Sequence, residues 1–359
     1  MNFVRKNIAV MDGYVPGEQP RDRTYVKLNT NENPYPPTPR VLEALRHFDF
    51  TRLRLYPDPV FLKLRETAAK TYGLPGADWV LAGNGSDDLL TIAVRTFVDQ
   101  GGKLAHPDPS YSLYPVLAGL QGATAVAVPL TADFALPEDA AALAGDATLF
   151  FIARPNAPTA NSFPIDQMRK LCAEFRGIVW IDEAYADFAE DNCLALLREF
   201  PNVVVSRTFS KSFSLAGARL GLAFARPELI GEMMKVKDSY NVNMLTQLAG
   251  TAALEDVEHM RQTAARICIT RTQVVGELQA LGCTVCPSEA NFLLVKPPRL
   301  PAETVLKELR SRGFLVRWFN LPRVRDYLRI TIGTEEEMTG FIAAINPAIS
   351  SSVPMVIRR

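Results

Sequence analysis

Residues 202–225 read NVVVSRTFSKSFSLAGARLGLAFA. The runs at its two ends, NVVVSRT and RLGLAFA, have the length and the aliphatic, partly β-branched content of strands. Between them lies a segment of small and hydroxyl-bearing residues with a single lysine, Lys211; Thr208, Ser210, Ser212 and Ser214 surround it, and Arg219 follows. A solvated loop lysine needs no such setting. A lysine amine that forms a Schiff base with an aldehyde does need room beside it, and hydroxyls with an arginine fork suit a phosphate. The stretch therefore predicts a strand end that faces a phosphorylated ligand.

Upstream, KLAH, TAVAVPL, TLFFIA and GIVWID have the same strand character, and helical segments such as PIDQMRKLCAEF separate several of them. Strands alternating with helices predict an α/β fold: a large domain with a mostly parallel central sheet flanked by helices. In such sheets ligands bind at the carboxyl ends of the strands. The polar motifs fall there. RPNAPTAN follows TLFFIA, DEAY overlaps the end of GIVWID, and RTFSKS follows NVVVS. PRVLEALRHF and PVFLKLRETAAKTYG have helical periodicity, and GNGSDDLLTIAVRTFVDQGG reads as a turn feeding a helix, with Ser86 as its cap.

The proline-rich beginning, through NTNENPYPPTPR, predicts an extended irregular arm lying on another surface. The end reads as strand, helix, strand, strand, helix, a small α+β domain. The expected division is an arm over 1–30 packing with the small domain, a large domain over 31–250 and the small C-terminal domain over 251–359.

The chain has 359 residues, and its 39 Lys+Arg balance 39 Asp+Glu. Zero net charge removes the strongest argument for a nucleic-acid partner. No apolar run approaches the roughly 18 residues of a membrane span, and the first residues lack the apolar stretch of a signal peptide. A cytoplasmic protein is expected. Cys283 and Cys286 form a lone C-x-x-C without a second pair, and the three histidines are scattered, so no metal is expected.

Asp182, at the end of GIVWID, is a carboxylate where burial is costly unless a partner is present. It reads either as a helix cap or as the partner of a cationic ring nitrogen. Tyr185 lies three residues on. The glycine-rich GNGSDD before a helix offers free amides to a phosphate. Tyr111 in PSYSLY is either a core aromatic or a flat partner for a ring. Arg329, within the apolar YLRITIGT, either pairs with a protein carboxylate or awaits one on a ligand. Arg317 in LVRWF is a second candidate.

Taken together, LNTNENPYPP, YPD, GNGSDDLL, PSYSLY, PNAPT, DEAY, RTFSKSFSLAGARLG, YNVN, ANFLLV and YLRITIGT resemble fold type I pyridoxal-phosphate aminotransferases, and most closely the histidinol-phosphate aminotransferase family. The resemblance covers nearly the whole chain. It implies pyridoxal 5'-phosphate as cofactor and a homodimer with the site at the subunit boundary. It implies Lys211 as the Schiff-base lysine and proton carrier, Asp182 at the ring nitrogen, Tyr185 at the ring oxygen and Tyr111 stacked on the ring. Ser86, Asp87, Thr208, Ser210 and Arg219 would hold the phosphate, and Tyr56 would reach across to the other subunit's cofactor. Tyr14, Asn33, Arg317 and Arg329 would bind substrate. The implied reaction is transamination from histidinol phosphate to 2-oxoglutarate in histidine biosynthesis. An aromatic amino-acid aminotransferase is the main alternative, ahead of a phospho-amino-acid decarboxylase and a non-catalytic cofactor-binding module.

Two departures stand out. Ala157 occupies the place where the family often has an asparagine touching the ring oxygen, so either Asn156 takes over or Tyr185 carries that contact alone. Trp318 and Phe319 replace a polar pair often found after the first arginine, which bears on side-chain specificity.

Overall fold

The computed structural model describes residues 3–14, 17–20 and 22–350. The arm contributes one short strand, β1 (Val26–Lys27). A seven-stranded sheet follows, made of β2 (Val80–Gly83), β3 (Lys103–Asp108), β4 (Thr124–Pro129), β5 (Leu149–Ala153), β6 (Ile178–Asp182), β7 (Val203–Thr208) and β8 (Gly221–Phe224). Its order is β2-β8-β7-β6-β5-β3-β4. Neighbours from β4 to β7 run parallel, whereas β8 is antiparallel to both β7 and β2. A four-stranded antiparallel sheet holds β9 (Thr284–Val285), β10 (Phe292–Lys296), β12 (Arg317–Trp318) and β13 (Leu328–Thr331). Between them in sequence, β11 (Phe314–Leu315) pairs with β1.

The strands form where the apolar runs predict them. Leu149–Ala153 and Val203–Thr208 are buried at every residue, because helices cover both faces of a parallel sheet. Continuous burial is why these strands read as unbroken runs rather than alternating ones. The register then brings the polar ends together: Ala153 lies beside Asp182, and Asp182 beside Ser206.

Three local features differ from expectation. Strand β2 is not anticipated, because its short apolar run abuts a glycine turn. The arm is not wholly irregular. A short helix, Lys6–Ala9, precedes β1, and Asn7 Nδ2 donates to the Gly119 carbonyl at 2.8 Å. Further along, Glu18 pairs with Arg310 at 2.5 Å. The helix Ser86–Phe97 is capped by Gly85 rather than by Ser86, which is its first residue. Gly85 has φ +86, and a Cβ there would sit 2.5 Å from Arg219 Nη2. The left-handed φ is what favours glycine here, and any side chain would also displace the end of Arg219.

Gly221 has a related duty. A Cβ on it would meet the Ser86 amide nitrogen at 2.7 Å and the Gly85 carbonyl carbon at 2.8 Å. Those are backbone atoms and cannot swing aside, so β8 packs against the 85–86 turn only because residue 221 is glycine. Gly276, in the helix Val257–Ala280, has nothing within 4 Å of its virtual Cβ. Gly221→Ala should lower stability by about 1–3 kcal/mol, and Gly276→Ala should raise it by about 0.5–1 kcal/mol. Urea unfolding of the two variants beside the wild type checks both signs.

Candidate active site

A cavity of about 280 Å³ opens at the carboxyl ends of β5, β6 and β7, and side chains from the arm and from the small sheet close it. The size is at the low end for small-molecule sites, roughly 300–1,000 Å³. Asp182 lies on its floor, 5% exposed. The Tyr114 hydroxyl donates to one carboxylate oxygen at 3.1 Å and the Ser206 hydroxyl to the other at 3.2 Å. Trp180 Nε1, which can only donate, gives its hydrogen to Ser206 Oγ at 2.9 Å. That contact turns the serine hydrogen toward Asp182. Burial pushes the Asp182 carboxyl up to about 6, against the pull of the Tyr114 and Ser206 hydrogen bonds. Among the described residues no cationic side chain pairs with it.

Lys211 lies on the loop after β7. Its Nζ donates to the Thr30 carbonyl at 3.2 Å and stands 5.7 Å from the centre of the Tyr185 ring. The loop is braced from two sides. Asn33 Nδ2 donates to the carbonyls of Lys211 and Ser212 at 3.1 and 3.0 Å. The Ser212 hydroxyl donates to Asp187, which Arg207 holds at 2.6 Å; Arg207 also pairs with the buried Glu183 at 2.8 Å. Arg207 and Ser206 point to opposite faces of β7, as strand alternation requires. One therefore serves the loop anchor and the other serves Asp182.

At one end of the cavity, Ser86 and Asp87 open the helix Ser86–Phe97, with Thr208, Ser210 and Arg219 around them. Arg219 Nη1 donates to Ser210 Oγ at 3.3 Å. The Asp87 side chain accepts from the Tyr111 hydroxyl at 3.1 Å and stands 3.6 Å from Arg219. It thus orients both the aromatic wall and the arginine. Free helix amides, hydroxyls and a guanidinium make a phosphate cradle. Tyr111 meets Tyr14 of the arm edge-on, with centroids 5.8 Å apart.

At the other end stand Arg317, Phe319 and Arg329. Arg329 lies 5.4 Å from the faces of both Phe292 and Phe319. Its Nη2 donates to the Asn29 carbonyl at 2.9 Å, while its Nε is buried without a partner. Burial depresses its pKa, and the nearby Arg317 adds to that effect. An anion placed here would relieve both penalties.

Most residues singled out from the sequence therefore line one cavity: Tyr14, Ser86, Asp87, Tyr111, Asp182, Tyr185, Thr208, Ser210, Lys211, Arg219, Arg317 and Arg329. Three do not. Asn33 braces the lysine loop instead of facing the cavity. Asn156 is fully buried. Its amide hydrogens go to the Pro109 carbonyl and the Thr159 hydroxyl at 2.9 and 2.7 Å, and its oxygen accepts from Ser110. Tyr56 is 77% exposed and stacks on Tyr240, away from the cavity of its own chain. Sequence reasoning passed over Tyr114 and Asn31. Tyr114 lies three residues beyond Tyr111 in PSYSLY, on the first turn of the helix Leu113–Gln121, where its ring stacks on Phe151.

The residues present fit pyridoxal phosphate. A buried carboxylate lacks a cation, a lysine stands near it, and a phosphate cradle lies beside both. Without a cationic partner Asp182 is a liability. Its raised pKa means that the folded chain binds its proton more tightly than the unfolded chain does. The stability it contributes is present below about pH 4 and is lost as pH rises through about 6. Asp182→Asn should therefore stabilise the cofactor-free protein at pH 7.5 by about 2 kcal/mol, with the gain shrinking toward pH 5. The same variant should gain less stability from added pyridoxal phosphate. Denaturation with and without cofactor at the two pH values checks this, and an apoprotein variant no more stable than wild type at pH 7.5 contradicts it.

The comparisons agree with this geometry. Residues 23–345 match the family described as aminotransferase class I and II. The histidinol-phosphate aminotransferase of Geotalea daltonii is 46% identical over 343 residues, covering 95% of this chain and 98% of that one. That of Synechocystis is 45% identical over 345 residues, covering 96% and 98%. Among solved structures, the histidinol-phosphate aminotransferase of Sinorhizobium meliloti in complex with pyridoxal-5'-phosphate superposes with a TM-score of 0.88. It is 24% identical and covers 97% of this chain and 98% of that one, a likeness of fold. A buried aspartate, a lysine and a phosphate cradle at the ends of a parallel sheet, together with relatives this similar over their full length, place the chain in the aminotransferase class I and II family, among the histidinol-phosphate aminotransferases.

Proposed function

We propose that the chain transfers the amino group of histidinol phosphate to 2-oxoglutarate, using pyridoxal phosphate. The observation that carries this substrate choice is Arg329, a half-buried arginine that lines the cavity and whose Nε is unpaired. Arg317 lines the same end. Two guanidiniums opposite the phosphate cradle make a second anion site. It suits the phosphate of an amino-alcohol phosphate in one half-reaction and the carboxylates of a 2-oxo acid in the other. Tyr14, Phe319 and Leu321 add aromatic and apolar edges on which an imidazole ring can lie. The same edges favour, as a second reading, an aromatic amino acid as donor.

Bound pyridoxal phosphate supplies an electron-withdrawing ring that stabilises the carbanion left when a substrate Cα loses its proton. The chain's own groups do the rest. Asp182, ionised beside a cation, would keep the ring nitrogen protonated. Lys211 Nζ would take the proton from the substrate Cα and deliver it to the cofactor carbon on the other side of the linking nitrogen. The Asn33 and Asp187 braces hold the lysine loop so that the amine meets that carbon without a search. Tyr185 would support the ring oxygen, and Tyr111 would offer its face to the ring.

The proposed units each contribute to the cavity: the arm (1–30) through Tyr14, the large domain (31–250) through Lys211 and the small domain (251–359) through Arg329. We also propose a homodimer. Phe50, Leu53, Leu55, Tyr56 and Leu62 are each about half or more exposed within one short segment, a concentration of exposed apolar side chains that suits an interaction surface. In the dimer Tyr56 reaches the phosphate of the other subunit's cofactor.

The test is a single-turnover absorbance experiment. Cofactor-loaded protein is mixed separately with L-histidinol phosphate, L-phenylalanine and L-glutamate. Histidinol phosphate should bleach the cofactor's visible band fastest, at least about tenfold faster than phenylalanine, because only it offers a phosphate to Arg317 and Arg329. Equal or faster bleaching by phenylalanine would assign the chain to the aromatic aminotransferases.

A further inference from the structure

Three consecutive residues of the segment after β1 meet three cavity side chains. The Asn29 carbonyl accepts from Arg329 at 2.9 Å, the Thr30 carbonyl accepts from Lys211 at 3.2 Å, and Asn31 Nδ2 donates to the Tyr185 hydroxyl oxygen at 3.0 Å. The last contact is the informative one. Asn31 is buried, with φ +55, a left-handed conformation that asparagine tolerates better than most residues. Its backbone N–H donates to Thr331 Oγ1 at 3.0 Å, and the Thr331 hydroxyl donates to Asn31 Oδ1 at 3.1 Å. Asn291 Nδ2 holds the Asn31 carbonyl at 3.1 Å. A threonine hydroxyl has one hydrogen, and here it goes to the amide oxygen. With the amide oxygen toward Thr331, the NH₂ faces Tyr185.

A carboxamide NH₂ can only donate. The Tyr185 oxygen is therefore an acceptor toward Asn31, and its own hydrogen must leave in another direction. Tyr185 lines the cavity, so that direction is the ligand. Ala157 lines the cavity too and has no group to donate, while Asn156 is engaged elsewhere. We propose that Asn31 is a positioning residue that fixes Tyr185 as a hydrogen-bond donor to the ring oxygen of pyridoxal phosphate, in compensation for the alanine at 157. The incoming hydrogen bond also polarises the phenol and strengthens its donation. This inference rests on the cavity's holding that cofactor as read above.

The test is a pH titration of the visible band of the cofactor-loaded protein. It reads the proton on the nitrogen that joins lysine to cofactor. Stabilising the negative ring oxygen lowers that midpoint, and losing a donor raises it. The charged and titratable groups facing Tyr185 are Lys211, Arg329, Tyr111 and Tyr114; no variant replaces any of them, and only Asn31→Asp adds a charge. Tyr185→Phe should raise the midpoint by about 0.5–1 unit. Asn31→Gly, which suits φ +55 and deletes the amide, should raise it by roughly 0.3 unit. Asn31→Asp keeps an oxygen toward Thr331 but turns an acceptor toward Tyr185. It draws the phenol hydrogen away from the ligand and adds a negative charge that favours the protonated nitrogen, so its midpoint should rise at least as far as that of Tyr185→Phe. The double variant Asn31→Gly/Tyr185→Phe should match Tyr185→Phe alone. Unchanged midpoints in both Asn31 variants overturn the inference. So does an Asn31→Gly shift of undiminished size in the Tyr185→Phe background, because Asn31 would then act without Tyr185. A wild-type protein that forms no visible band with the cofactor would instead overturn the functional reading beneath it.

Discussion

A carboxylate held at the buried end of a parallel strand is the constraint around which this molecule is arranged. Burial alone would drive Asp182 to take up a proton. Tyr114 and Ser206 oppose that with two directed hydroxyls, and Trp180 fixes the direction of one of them. Trp180 shares β6 with Asp182, the parallel register of β6 and β7 sets Ser206 beside it, and Tyr114 comes in from the helix Leu113–Gln121, its ring stacked on Phe151 of β5. Their combined effect leaves the carboxyl near 6, poised so that a cationic ring nitrogen captures the charge. Everything else at the site places the remainder of the ring against that anchor. On the proposed reading the cradle at the start of the helix Ser86–Phe97 would take the phosphate, and the braced loop would present Lys211 to the same ring.

The second organising element is the short segment Asn29–Asn31. It lies between the two sheets and makes one contact to each of Arg329, Lys211 and Tyr185. Its own position is set from the small sheet through Thr331 and from Asn291. Arg329, Lys211 and Tyr185 are thereby tied to one short segment, the first two through its backbone carbonyls and the third through the Asn31 amide. The arm beyond it carries Tyr14 over the cavity and is fastened at both ends, by Asn7 near Gly119 and by β1 beside β11.

Much of this was legible in the sequence because burial on two faces leaves an unbroken apolar run, and the run stops where the polar site begins. TLFFIA, GIVWID and NVVVSRT give both the strands and the positions of Asp182 and Lys211. Strand β2 was hidden because its few residues merge into a glycine turn. Asn33 and Asn156 sit in motifs that look ligand-facing, yet their amides close loops; a motif marks a neighbourhood and not the direction of a side chain. Tyr114 and Asn31 were missed for the opposite reason. Their partners lie 68 and 154 residues away, so nothing local distinguishes them from a core tyrosine and a turn asparagine.

The central claim is that the cavity holds pyridoxal phosphate through Lys211. Borohydride reduction of the cofactor-loaded protein, followed by digestion and mass mapping, tests it most directly. The account predicts one reduced cofactor adduct, on the peptide containing Lys211. An adduct on any other lysine, with Lys211 unmodified, would contradict it.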